Sequence, residues 1–158
     1  MIRTKPFTLA AIGAFGFAAL VASGTLATAA PSASATISAR QANFKKIGGA
    51  MKTLKDELGG SADKVKMLTA AKTIAAVGRA QVKLFPAGTG PSAGVKTDAL
   101  AAIWTDRATF DGHMTKFIAE ADKLVAAAGQ GNAQAVGAQF KAMGATCGAC
   151  HRQFRADD

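Results

Sequence analysis

The sequence predicts an all-α chain folded as an antiparallel, up-down-up-down four-helix bundle, and three observations carry that prediction. Apolar residues recur at alternating spacings of three and four in four separate segments, glycine or proline marks the breaks, and no stretch alternates with period two over strand length. Four amphipathic helices joined mostly by short connections bury their apolar stripes most simply as an antiparallel bundle. The chain has no tyrosine, and after residue 35 its aromatic residues are Phe44, Phe85, Phe110, Phe117, Phe140, Phe154 and Trp104, a set with little β character.

The first helix is expected over about 36–58, with Ile37, Phe44, Ile47, Met51, Leu54 and Leu58 on its stripe and Gly59-Gly60 as its stop. The second is expected from Ser61, with Asp63 in its first turn, to about Phe85, through Val65, Leu68, Ala71, Ala75 and Val82. The segment PAGTGPSAGVKT follows as the longest loop. A third helix, starting at about Asp98 or Asp106 and ending near Ala128, places Phe110, Met114, Phe117, Ala121, Leu124 and Ala128 on one stripe. After a Gly-Gln-Gly-Asn turn the fourth runs from about Ala133 to Arg155, striped by Val136, Phe140, Met143, Cys147, Cys150 and Phe154. No internal repeat goes beyond this periodicity.

Arg3 and Lys5, an apolar run over about 7–21 and a following series of small residues read as a secretory signal ending after Ala29 or Ala30, or as late as Ala35. At about fifteen residues the run is short of the roughly twenty that a spanning helix needs, so no stable membrane anchor is expected. The expected organisation is a signal peptide over 1–30 and one helical domain over 36–158, exported to the periplasm. The formal charge falls from +9 to +7 when Arg3 and Lys5 leave with the signal. Lysines spread along helices, such as Lys45, Lys46, Lys52 and Lys55, describe a solvated face or a dock for acidic redox partners; nucleic-acid binding would cluster them with aromatics.

The pentapeptide CGACH at 147–151 holds the chain's only two cysteines and one of its two histidines. Cys147 and Cys150 share the stripe of the fourth helix, so both thiols should face the interior with His151 beside them. A disulfide oxidoreductase places Cys-x-x-Cys at a helix N-terminus, where the dipole lowers a thiol pKa; this pair ends its helix. Zinc needs four ligands, and only His113 and carboxylates remain to complete the set. Covalent haem attachment fits best: two thiols bond the two vinyl groups and the adjoining histidine reaches the iron. A plain Cys-Cys bridge with an incidental histidine is the remaining alternative. Arg40 also stands on the core-facing stripe of the first helix, where a charge is costly unless it meets an anion or snorkels to water. A haem propionate would supply the anion.

The stretches RQANFKKIGGAMKTL, LFPAGTG, AAIWTDRATF and GATCGACHRQFR together resemble the cytochrome c′ family, the class II c-type cytochromes, over essentially the whole chain after the signal. Class I c-type cytochromes carry the attachment motif near the N-terminus. Cytochromes c′ are themselves a familiar case of the up-down-up-down bundle, so periodicity and resemblance are not independent on that point. The resemblance implies one covalent haem c between helices, with Cys147 and Cys150 as thioether attachments and His151 as proximal iron ligand. It also implies Arg155 on the proximal face and Arg40 near a propionate. Low-spin members have methionine over the iron; aligning Arg40-Gln41 puts Phe44 there, and a phenyl ring donates nothing.

The expected function is therefore that of a periplasmic, five-coordinate high-spin haem protein for electron transfer, binding of small diatomic gases (nitric oxide, carbon monoxide), or both. The alternative is a six-coordinate low-spin electron carrier using Met51 or His113. Met51 is expected to be core filler and His113 a flank residue, while Trp104 should pack with its N–H at a polar rim. Phe85 and Phe117 line the core or the haem pocket. Peroxidase-like catalysis is not expected, since no distal acid or base is evident to cleave an O–O bond. A homodimer through the first two helices is a further implication of the resemblance.

Overall fold

In the computed structural model residues 31–156 are described; the expected signal over 1–30 lies outside them. The helices are α1 (Ala33–Leu58), α2 (Lys64–Gln81), the single turn α3 (Ala102–Thr105), α4 (Arg107–Gln130) and α5 (Ala133–Phe154). The four long ones form the expected bundle. Among the described residues there is no strand, only an isolated antiparallel bridge between Ala99 and Arg155. None of these helices is long and apolar enough to cross a membrane.

The helix ends follow from capping chemistry. Ser32, Asp63 and Asn132 each accept backbone N–H groups from the first turn of the helix that follows. The start of α2 differs from the expected Ser61: the Asp63 carboxylate takes the N–H groups of Val65 and Lys66 at 2.8 and 3.0 Å, while the Ser61 hydroxyl turns back to donate to Glu57 at 2.7 Å. Gly131 ends α4 at φ 75°, a left-handed position that suits glycine. Of the two starts considered for the third long helix, Asp106 marks the break and Asp98 lies in the loop.

The stripe expected for α4 is buried at every position, Phe110, Met114, Phe117, Ala121, Leu124 and Ala128. The other helices depart from expectation in instructive ways. In α2 the buried face runs through Met67, Ala70, Ala71, Ile74, Ala75, Gly78 and Gln81, leaving Val65, a first-turn residue off that phase, 73 % exposed. In α1 the buried residues are Thr36, Ile37, Arg40, Ile47, Ala50 and Leu54, whereas Phe44, expected on the core seam, is 42 % exposed. The reason is how the helices meet: α1 packs along α2, α2 along α4 and α4 along α5, but α1 and α5 touch only sparsely.

Close packing between α2 and α4 requires a glycine. A Cβ at Gly78 would lie 2.6 Å from Phe117 Cε1. Gly78→Ala should therefore cost about 1–3 kcal/mol through a displaced ring, read as a lower denaturation midpoint with helix content retained. The turn between α1 and α2 carries a pH dependence. Glu57 accepts from Ser61 and from the Asp63 N–H and pairs with Lys66 at 3.0 Å, which together hold its carboxyl below the usual range. A depressed folded pKa stabilises above the unfolded carboxylate pKa, and the contribution is lost as pH falls through the folded value. Thermal unfolding of wild type and Glu57→Gln should differ most at neutral pH and converge in acid.

Candidate functional site

The site is built on the last turns of α5. This helix is capped by Asn132 and closes where Arg155 turns extended, its N–H donating to the His151 carbonyl at 3.0 Å. Val136, Met143 and Phe154 anchor it in the core, while Cys147 and Cys150, one turn apart on the same side, are half-buried against that core. His151 is exposed beside them. The two cysteines do not bond to each other. Burial raises the Cys147 pKa, and burial together with the neighbouring Cys147 pushes Cys150 up to about 11. Both sulfurs are therefore protonated at neutral pH, the opposite of the activated thiolate that disulfide exchange needs. Desolvation and then the Arg155 charge hold the His151 imidazole below its usual pKa, so it is neutral and has a lone pair to donate.

The register of α1 against α5 fixes what faces this end. A Cβ at Gly137 would lie 3.8 Å from Leu58 Cδ2, and one at Gly144 would lie 4.0 Å from Met51 Cε. In an antiparallel pair, two turns back along α1 from Met51 is matched by two turns forward along α5 from Gly144. That sets Phe44 level with His151. Met51 is part of the packing around Gly144 and lies about 10 Å along α1 from Phe44. His113 faces elsewhere, its ring meeting Phe154 edge-on at 5.8 Å.

Arg40 is 2 % exposed, which removes the alternative that it snorkels to water. Its guanidinium donates to the Leu84 carbonyl at 3.3 Å, to Thr89 Oγ1 and the Thr89 carbonyl at 3.4 and 3.1 Å, and to Thr97 Oγ1 at 2.9 Å. The cation also lies over the rings of Phe85 and Trp104, 4.7 and 5.9 Å from their centroids. Burial lowers its pKa, and each of these protein partners is neutral. Trp104 packs as expected, its indole N–H donating to the Pro86 carbonyl at 2.9 Å. Phe85 and Phe117 are core residues, Phe85 edge-on to Phe110 at 4.7 Å.

Thr89 and Thr97, 49 and 57 positions from Arg40, were invisible to sequence reasoning, because loop residues carry no periodicity that ties them to a helix. The same loop meets α5: Leu100 N–H donates to the Phe154 carbonyl at 3.0 Å, and Ala156 N–H to the Asp98 carbonyl at 2.8 Å. Asp98 Oδ2 is 3.9 Å from Arg155 Nη2.

Among the described residues no group of three or more histidine, cysteine or acidic side chains converges as a metal ligand set, so zinc lacks its donors. Cysteines one turn apart and not bonded to each other, a neutral histidine beside them and an apolar ring level with it across a sparsely packed seam fit a flat, covalently held macrocycle. Fold and site thus define a class, the helical-bundle haem proteins with a C-terminal attachment motif. The family model described as Cytochrome C′ matches residues 35–155. A cytochrome c′ of Rhodospirillum rubrum is 42 % identical over 87 residues, 55 % of this chain and 58 % of that protein. A cytochrome c-556 of Agrobacterium tumefaciens is 36 % identical over 120 residues, 73 % of this chain and 93 % of its own length. A solved cytochrome c′ with ligand-controlled dimer dissociation superposes with a TM-score of 0.78 at 29 % identity, covering 82 % of this chain and all of its own. The chain belongs to the cytochrome c′ family, and its cofactor is one covalent haem c.

Replacing Arg40 by methionine would leave the Leu84 and Thr89 carbonyls without their buried donor. Arg40→Met should lower stability by about 2–4 kcal/mol in chemical denaturation, with Arg40→Lys intermediate because an ammonium lacks the planar fork that reaches both threonines.

Proposed function

We propose that this protein is a periplasmic, five-coordinate, high-spin haem c protein that transfers electrons, binds small diatomic gases, or does both, without being an enzyme. One observation carries the reading: the antiparallel register brings Phe44 level with His151, with Cys147 and Cys150 on the same side of α5. In this reading the two cysteines hold the haem as thioethers, and the neutral imidazole of His151 bonds the iron from the proximal side. Bound haem supplies an iron that exchanges one electron and one coordination position open to a small molecule.

The chain's residues do the rest. Phe44 shields the distal face with a ring that neither ligates nor donates a hydrogen bond, which disfavours dioxygen and polar ligands. Arg40 offers its buried charge near a propionate. Arg155, one turn beyond His151, brings positive charge to the proximal face, where nitric oxide displacing His151 would be a second route. The rival six-coordinate electron carrier needs a sixth ligand, and the positions of Met51 beside Gly144 and His113 against Phe154 speak against both candidates.

Acidic periplasmic redox proteins are the electron partners expected for a basic chain. A homodimer through α1 and α2 would use the groove between them, whose floor of Gly49, Ala50, Thr53, Ala70 and Thr73 is small while Lys46, Val65 and Lys66 stand at its edge. The solved relative with ligand-controlled dimer dissociation supports that assembly.

Optical spectra of the haem-loaded protein, oxidised and reduced, with and without carbon monoxide and nitric oxide, test the reading. A broad high-spin ferrous band that moves under either gas is expected; sharp low-spin bands indifferent to carbon monoxide would overturn it. Phe44→Ala should tighten carbon monoxide binding about tenfold, or ~1.4 kcal/mol, and Phe44→Met should convert the spectrum to low spin.

A further inference from the structure

The loop between α2 and α4 does more than connect them. Its 98–100 segment runs antiparallel to 154–156 through the Ala99–Arg155 bridge, with Leu100 N–H on the Phe154 carbonyl and Ala156 N–H on the Asp98 carbonyl. The residues just before Asp98 are held from α1: Gln41 Nε2 donates to the Lys96 carbonyl at 3.1 Å, and the buried Arg40 donates to Thr97 Oγ1. Thr97 Oγ1 also accepts the Ala99 N–H at 3.2 Å, closing a turn around Asp98. Asp98 is thus fixed on both sides, and its carboxylate reaches to 3.9 Å from Arg155 Nη2.

We propose that Asp98 is a positioning residue: from the loop that Arg40 anchors, its carboxylate orients the Arg155 guanidinium on the proximal side of the haem, beside His151. The proposal rests on the attachment at His151 set out above. Both partners are about half exposed, and such a pair adds little to stability. Its effect is orientation. The backbone bridge places the Asp98 carboxylate opposite this arginine, and the attraction biases the guanidinium toward it. Arg155 in turn is tied to the histidine, since its N–H closes α5 on the His151 carbonyl. The buried Arg40 of α1 thereby reaches the proximal face through a loop, a route separate from any contact with a propionate.

The test is a double-mutant cycle on the haem-loaded, full-length protein, following the paramagnetically shifted proton resonances of the His151 ring and the haem methyls in the ferric state. Asp98→Asn should move them, Asp98→Glu should keep them near wild type, and in an Arg155→Ala background Asp98→Asn should produce no further shift. An Asp98→Asn spectrum identical to wild type, or an Asp98→Asn shift equally large without Arg155, would overturn the proposal. Circular dichroism and unfolding curves show whether each variant is folded. A purely structural role would lower stability without the dependence on Arg155. The haem attachment is read separately: absence of shifted His151 ring resonances from the wild type refutes it, and the proposal with it. A low-spin wild-type spectrum refutes only the five-coordinate reading and leaves the Asp98 cycle interpretable.

Discussion

The site depends on the one sparsely packed seam of the bundle: α1 packs along α2, α2 along α4 and α4 along α5, whereas α1 and α5 touch little. The core does not need that seam. Met67, Ile74, Phe110, Phe117 and Leu124 fill the space between α2 and α4, and α1 and α5 each dock on the neighbour that precedes or follows them in the chain. A bundle stabilised in this way keeps two long helices in fixed register while their facing sides carry groups chosen for chemistry. Gly137 and Gly144 mark the register, with Leu58 and Met51 of α1 lying against them.

Arg40 is the second constraint. Burying a guanidinium costs several kcal/mol unless its donors are met, and here two backbone carbonyls, two threonine hydroxyls and two aromatic faces meet them. All these partners are neutral. Because its acceptors lie at the end of α2 and in the long loop, the arginine also organises the segment that pairs with the end of α5.

The chemistry of the two cysteines separates competing uses of the same motif. Thiols that exchange disulfides sit where positive charge or a helix N-terminus stabilises the thiolate. Cys147 and Cys150 sit near a helix C-terminus in half-buried surroundings that favour the protonated form. That argues against disulfide exchange at this pair. The neutral imidazole of His151 next to them suits a metal bond, with Arg155 discouraging its protonation.

How much of this was legible beforehand depended on whether the signal was local. The stripe of α4 and the glycine breaks are properties of spacing along one chain segment, and periodicity read them correctly; the adjacency of Cys147, Cys150 and His151 is visible in the same way, though His151 proves exposed. Arg40 could be singled out as an oddity because a charge on an apolar stripe is visible without coordinates. Its partners Thr89 and Thr97, the pairing of Asp98 with Arg155, and the exposure of Phe44 and Val65 depend on which helix faces which. The sequence by itself determined four helices, their apolar sides and the chemistry of one pentapeptide. Only the tertiary structure decided that α1 and α5 touch sparsely and in what register they face each other, because contact between helices is settled by the packing of all of them together.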